Sequence, residues 1–318
     1  MRQTKPFFSL MTAAVSARAG DAAILFKTAA SREEYLRLYD ELIGLWPAKP
    51  DQLDVETSFG LTHINAVGSP HAPALLLLPG FGANSTMWFA NIGPLSRCFR
   101  VFAIDTLGQP GRSVPSKALK ASDTSDWLGE VMDRLSLRRA HVAGVSLGGW
   151  IALDYAIRQP GRVDRVAALD PAASFAPMSA TFVLHSFIPI MVRPTRNGLT
   201  KYFRWLTKGK ATDGRWGELM IQGILGSRSQ PPIRATPFTD DRLRGCRAPV
   251  LLLVGEKSVI YDPEKAVRRA ERFLPQVSAE IVADASHGLC YEQPDRINSR
   301  LIEFLRQGRS GENGAIDP

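Results

Sequence analysis

Apolar residues at Tyr35, Leu38, Tyr39, Leu42, Ile43 and Trp46 recur every three or four positions, which predicts an amphipathic helix over 31–46. Ser31 and Glu34 read as a capping box at its start, and Pro47 ends it. Two alternating stretches, 54–59 and 61–67, flank Gly60 and predict an antiparallel hairpin. From Ala74 onward the pattern changes to short, uninterrupted apolar runs at 75–78, 101–104, 141–145, 166–169, 250–254 and 280–282, separated by helical spacings. Strands buried on both faces and joined by crossover helices produce that pattern, so the expected class is α/β, a mostly parallel doubly wound sheet.

Between Leu169 and Val250 the alternation lapses for far longer than a connecting loop requires. This stretch is rich in large apolar side chains (Phe175, Met178, Phe182, Leu184, Phe187, Ile190, Met191, Phe203 and Trp205), as expected of a helical lid inserted over the carboxyl edge of the sheet. The expected organisation is an N-terminal helical segment (1–50), a core built from 51–171 and 245–308, a lid (172–244) and a flexible tail (309–318). No internal repeat or low-complexity segment interrupts it.

The segment from His141 to Trp150 runs from a buried strand through Gly144-Val145-Ser146-Leu147-Gly148 into an amphipathic helix. A serine hydroxyl is a weak nucleophile at neutral pH, and a sharp strand-to-helix turn presents its oxygen to a base. Glycines two positions either side leave room for that turn. On these residues the chain resembles the α/β-hydrolase superfamily, in its esterase, lipase and proline-iminopeptidase-like branch, over about residues 55–305. The resemblance implies an α/β-hydrolase fold and a nucleophile at Ser146.

It also implies an oxyanion hole. Leu78-Pro79-Gly80-Phe81-Gly82 resembles the superfamily's His-Gly-x-Gly loop, with Pro79 where His is usual. The chemistry needs a backbone N–H, so the candidate donors are the amides of Phe81 and Leu147. His287 follows the last strand pattern, where loops at the carboxyl ends of parallel strands converge, and it is the candidate base. Of the other histidines, His63, His71, His141 and His185 fall in the hairpin, a loop, a strand start and the lid.

The third member departs from the pattern. The family's acid follows the penultimate strand, where this chain reads Gly255-Glu256-Lys257-Ser258, without a carboxylate at the expected position. Asp170, at the end of the preceding strand, is the first candidate, because some superfamily members place their acid there. Glu256 and Asp262, flanking the vacant position, are the alternatives. Asp105 lies in a loop resembling a structural Asp-x-x-Gly-x-Gly-x-Ser turn and is expected to hold backbone amides.

Composition changes this picture little. The formal charge is +8, and much of the excess is local: Arg193, Arg196, Lys201, Arg204, Lys208, Lys210 and Arg215 face one acid, Asp213. No nucleic-acid-binding signature accompanies the run, so a solvated lid face is expected, with weak contact to anionic membrane surfaces as a further partner. Cys98, Cys246 and Cys290 form no CxxC pair, which fits a reducing, cytoplasmic compartment. Arg2 and Lys5 before an interrupted apolar run, with Ala17-Arg18-Ala19 after it, leave secretion open. No stretch has the length of a membrane span.

The expectation is therefore a serine hydrolase, carboxylesterase-like, that cleaves an ester or related acyl bond of a small apolar substrate through an acyl-enzyme, with no metal or organic cofactor. Two alternatives stand beside it: a non-catalytic ligand-binding homologue, which Ser258 keeps open, and an acyltransferase or cyclase using the same acyl-enzyme.

Overall fold

The computed structural model describes residues 25–209, 214–228 and 233–307. The signal-like segment, the tail 309–318, Lys210 and Asp213 lie outside them.

The first helix, α1 (Ala29–Gly44), starts earlier than its apolar spacing suggests. Thr28 has the extended backbone an N-cap requires and accepts the Ser31 amide, while the Ser31 hydroxyl accepts the Thr28 amide. Ser31 is thus the inner partner of the capping box. Glu34 belongs instead to an ion pair with Arg37 at 2.8 Å.

Strands β1 (Asp51–Thr57) and β2 (Gly60–Val67) form the hairpin, in a register pairing Thr57 with Gly60. Phe59 therefore sits in the two-residue turn, outside the strand its alternation suggested. Gly60 has φ +133°, and a β-carbon there would lie 2.3 Å from the Val114 carbonyl oxygen. The strands that follow are β3 (Ala74–Leu78), β4 (Arg100–Ile104), the two-residue β5 (Val114–Pro115), β6 (Ala140–Val145), β7 (Val163–Leu169), β8 (Val250–Gly255) and β9 (Val277–Val282). Their order is β1-β2-β4-β3-β6-β7-β8-β9, with β5 paired to β2; β4, β3, β6, β7, β8 and β9 are parallel. The chain steps from β3 to one side, then returns to its other side at β6. Crevices open at such switch points, above the strands' carboxyl ends.

A short helix, α2 (Ile92–Ser96), precedes β4, and alternating strand residues feed two cores. Leu76 and Leu78 face the side packed by α3 (Thr124–Arg134) and α4 (Leu147–Arg158), where Trp127, Leu128 and Ile151 are buried. Leu75 and Leu77 face the side packed by α1 and the C-terminal helix (Pro294–Arg306), with Tyr39, Leu301 and Leu305.

Between β7 and β8 lie α5 (Ala180–Ser186), a π-helical turn (Phe187–Val192), α6 (Arg196–Leu206), α7 (Arg215–Gly226) and α8 (Asp240–Arg244). Both roots are fastened to the core. Ser179 donates its amide to Ile260 at 2.7 Å, and Trp150 donates its indole N–H to the Thr236 carbonyl at 2.9 Å while stacking on Phe238. Arg242 of α8 pairs at 2.5 Å with Asp154, which is fully buried in α4.

Candidate active site

Ser146 sits between β6 and α4 with φ 54° and ψ −118°, a conformation few non-glycine residues adopt. The flanking glycines make this turn possible. A β-carbon on Gly144 would meet the Gly148 backbone at 2.3 Å, and one on Gly148 would meet the Leu78 carbonyl oxygen at 2.1 Å. The turn is consequently pressed against the end of β3. That contact brings the loop after β3 to the serine: a β-carbon built on Gly80 would lie 3.4 Å from the Ser146 β-carbon.

The two amides singled out from the sequence, those of Phe81 and Leu147, donate to no acceptor among the described residues. Leu147 opens α4, a helix of 12 residues whose N-terminus carries partial positive charge. The Gly82 amide, next along the loop, is held at 2.7 Å by the side-chain oxygen of Gln109. Gln109 carries no sequence motif for this role, because its carbonyl meets the loop only through the fold.

His287 follows β9 and lines the same cavity as Ser146. Its loop is braced by Glu292, which accepts the Ser286 amide at 2.8 Å and the Ser286 hydroxyl, and by Gln293, which donates to the Ala283 carbonyl at 2.7 Å. His287 Nδ1 lies 2.7 Å from Oδ2 of Asp170.

Asp170 is fully buried at the end of β7, with φ 42°, its amide bonded to the Leu253 carbonyl at 2.7 Å. Its carboxylate collects three contacts: His287 and the Ser258 hydroxyl (2.8 Å) at Oδ2, and the Tyr261 hydroxyl (3.0 Å) at Oδ1. A carboxylate taken out of water needs such hydrogen-bond partners. Burial and the neighbouring Asp170 charge push the Tyr261 hydroxyl well above its usual pKa, so it stays a proton donor.

The other carboxylates take no part in this cluster. Glu256 is exposed and accepts the Asp284 amide at 2.9 Å. Asp262 caps the helix Pro263–Phe273 by accepting the Lys265 amide, which together with Lys265 holds its pKa low. Each therefore has a local backbone task instead of the contact with His287 that the sequence left open. Asp105 accepts the Ser85 amide at 2.9 Å and the Arg112 amide at 2.8 Å, the structural role its loop suggested. The donor roles of Ser258 and Tyr261 escaped sequence reasoning: Ser258 reads only as the vacant acid position, and Tyr261 sits in no recognisable motif.

Ser146, Phe81, Leu147 and His287 open on one cavity of about 420 Å³. Its walls are chiefly apolar and come largely from the helices between β7 and β8, including Phe182, Ile190, Phe203, Trp216, Met220 and Ile224. Arg234 is the one Lys or Arg side chain among its described lining residues. The arrangement offers a serine at a strained turn, a histidine paired with a buried carboxylate, and two uncommitted amides around an apolar chamber. No group of three or more His, Cys, Asp or Glu side chains among the described residues is placed to hold a metal.

Comparison with known proteins places the chain among relatives. The model of the Alpha/beta hydrolase family matches residues 75–300. The chain is 34% identical over 297 residues to carboxylesterase YbfK of Bacillus subtilis (strain 168), covering 89% of this chain and 97% of that one. It is 35% identical over 279 residues to the uncharacterized carboxylesterase nap of the same organism, covering 85% and 92%. The crystal structure of carboxylesterase CesB (YbfK) from Bacillus subtilis superposes with a TM-score of 0.83 at 33% identity, over 88% of this chain and all of that one. That of naproxen esterase from Bacillus subtilis gives 0.79 at 35% identity, over 85% and 96%.

Proposed function

The chain belongs to the alpha/beta hydrolase family, and from that premise we propose that it is a carboxylesterase working through Ser146, His287 and Asp170. It is a serine hydrolase of the carboxylesterase type, and its substrates are small-molecule esters. The observation that carries the assignment of residues is the 2.7 Å contact between His287 and the buried Asp170, in a cavity shared with the strained Ser146.

His287 takes the Ser146 proton through Nε2 as the hydroxyl oxygen attacks the ester carbonyl carbon. Asp170 fixes the imidazole tautomer and stabilises the imidazolium that forms. The carbonyl oxygen, now negative, receives the Phe81 and Leu147 amides, each donor of this kind lowering the barrier by about 3 kcal/mol. His287 returns the proton to the departing alcohol, leaving an acyl-serine. Water, deprotonated by the same histidine, then releases the carboxylic acid. No metal or organic cofactor enters these steps.

The helices between β7 and β8 serve as a lid whose apolar inner face selects the substrate. A chamber of about 420 Å³ suits a compact apolar ester. Ser258, the residue that kept a non-catalytic reading open, here supports the acid through its hydrogen bond to Asp170. Ser146→Ala tests the assignment: hydrolysis of a short p-nitrophenyl ester should fall about a millionfold, and a fluorophosphonate should label Ser146 in the native protein. Near-wild-type turnover, or label on another residue, would overturn it.

A further inference from the structure

The segment that walls the cavity is apolar on both sides. Phe182, Ser186 and Ile190, four residues apart, line the chamber. Leu184, Ile188 and Val192, offset by two and also four apart, point the other way, and with Val183 they are 67%, 58%, 60% and 48% exposed respectively. Four of the seven large apolar side chains exposed among the described residues thus fall within ten positions. A helix apolar all round is normally buried, and one left open on such a face marks a surface that meets an apolar phase.

What lies beside it identifies that phase. From Pro171 to Thr212 the sequence contains no Asp or Glu. On α6, Leu199, Tyr202 and Phe203 are buried, leaving Lys201 and Arg204 exposed, with Arg193 before the helix and Lys208 after it also exposed. None of these four cations has an ion-pair partner among the described residues, whereas Arg196 is paired with Glu218. The two features are joined, because His185 of α5 stacks on Trp205 of α6 with ring centroids 4.6 Å apart.

We propose that the outer face of this segment docks on an anionic lipid surface, with Val183, Leu184, Ile188 and Val192 entering the acyl-headgroup boundary and Arg193, Lys201, Arg204 and Lys208 meeting the lipid phosphates. Amphipathic interfacial segments combine these same two elements, and cations near an anionic leaflet add attraction that salt screens. Among the described residues no helix is long and apolar enough to cross a membrane. It rests on the proposed function only in this: the surface backs directly onto the chamber holding Ser146, so an ester dissolved in the lipid would have a short path to it.

The test is co-sedimentation of the full chain with phosphatidylcholine vesicles, with and without about one third phosphatidylglycerol. Binding should need the anionic lipid and weaken as salt rises. Leu184→Ser with Ile188→Ser, and separately Lys201→Glu with Arg204→Glu, should each lower partitioning by about tenfold or more. Both should keep wild-type turnover of a water-soluble ester, which shows that they fold. Ser146→Ala should bind vesicles like wild type, so failure of the catalytic assignment and failure of the docking surface read out separately. Vesicle binding that ignores anionic lipid and salt would overturn the proposal. So would an absence of vesicle binding together with a concentration-dependent dimer that Leu184→Ser with Ile188→Ser dissociates.

Discussion

Ser258 and His287 meet at a single oxygen: the Ser258 hydroxyl donates to Asp170 Oδ2 at 2.8 Å, and His287 Nδ1 lies 2.7 Å from the same atom. Position 258, where the α/β-hydrolase pattern leads one to expect an acid, holds instead a donor to the carboxylate of Asp170, one strand away. Asp170→Asn should therefore lower kcat by about ten-thousandfold through the wrong imidazole tautomer, with folding intact. Glu256→Gln and Asp262→Asn should change it little. Steady-state kinetics on one p-nitrophenyl ester compares all three, and a collapse in Glu256→Gln alone would assign the acid to Glu256.

Moving the carboxylate is the sharper experiment. In Asp170→Asn with Ser258→Asp, a carboxylate returns to the same side of the imidazole, and part of the lost activity should return. Ser258→Asp alone should impair turnover at neutral pH, because two carboxylates then share one buried site and one of them holds a proton. A single variant as active as wild type would show that the two side chains do not compete.

Tyr261 donates to the other oxygen of Asp170, and its raised pKa keeps it protonated. Tyr261→Phe leaves that oxygen without its partner and should cost about 1–3 kcal/mol of stability, measured by urea unfolding. Rate should fall less than in Asp170→Asn, since the contact to His287 survives.

The turn at Ser146 tolerates no added bulk. Gly148→Ala would set a β-carbon 2.1 Å from the Leu78 carbonyl oxygen. Backbone cannot yield as a flexible side chain does, so the variant should lose about 3 kcal/mol or more and much of its activity. A melting temperature equal to wild type would contradict the packing described.

Cys290 borders the chamber, yet burial pushes its thiol far above the usual range, with the Asp170 and Glu292 charges adding to the shift. Iodoacetamide at pH 8 should leave activity unchanged, and mass spectrometry should find any label first on the half-buried Cys98. Inactivation accompanied by label on Cys290 would show that the chamber admits the reagent and activates the thiol.

The sheet was legible because its parallel strands are buried on both faces and read as unbroken apolar runs; β6 and β8 are buried at every position. The turn at Ser146 was legible because glycine is needed where backbones approach this closely, as Gly144 and Gly148 do. Asp170 and His287 share a neighbourhood that topology alone implies, since β7, β8 and β9 are consecutive parallel neighbours with their carboxyl ends on one edge. Elsewhere local signals were too weak. Thr28 and Ser31 each suit a helix start, and only the extended backbone of Thr28 decides between them. β5 is two residues long, too short to show a period. Gln109 and Tyr261 act through single long-range hydrogen bonds, which leave no spacing to read, and the spacing that marks position 258 does not reveal which side chain its hydroxyl meets.

The sharing of Asp170 Oδ2 by Ser258 and His287 also bears on how such a site changes over generations. Because Ser258 and His287 converge on one oxygen of Asp170, an acid at 258 would approach the imidazole from beside the one at 170, and an exchange between the two would leave the loop that carries the histidine in place. The intermediate with both carboxylates is the Ser258→Asp variant, and its turnover measures what such a passage costs. The serine at 258 keeps that position in touch with the exchange, since its hydroxyl already rests 2.8 Å from the oxygen that meets the imidazole.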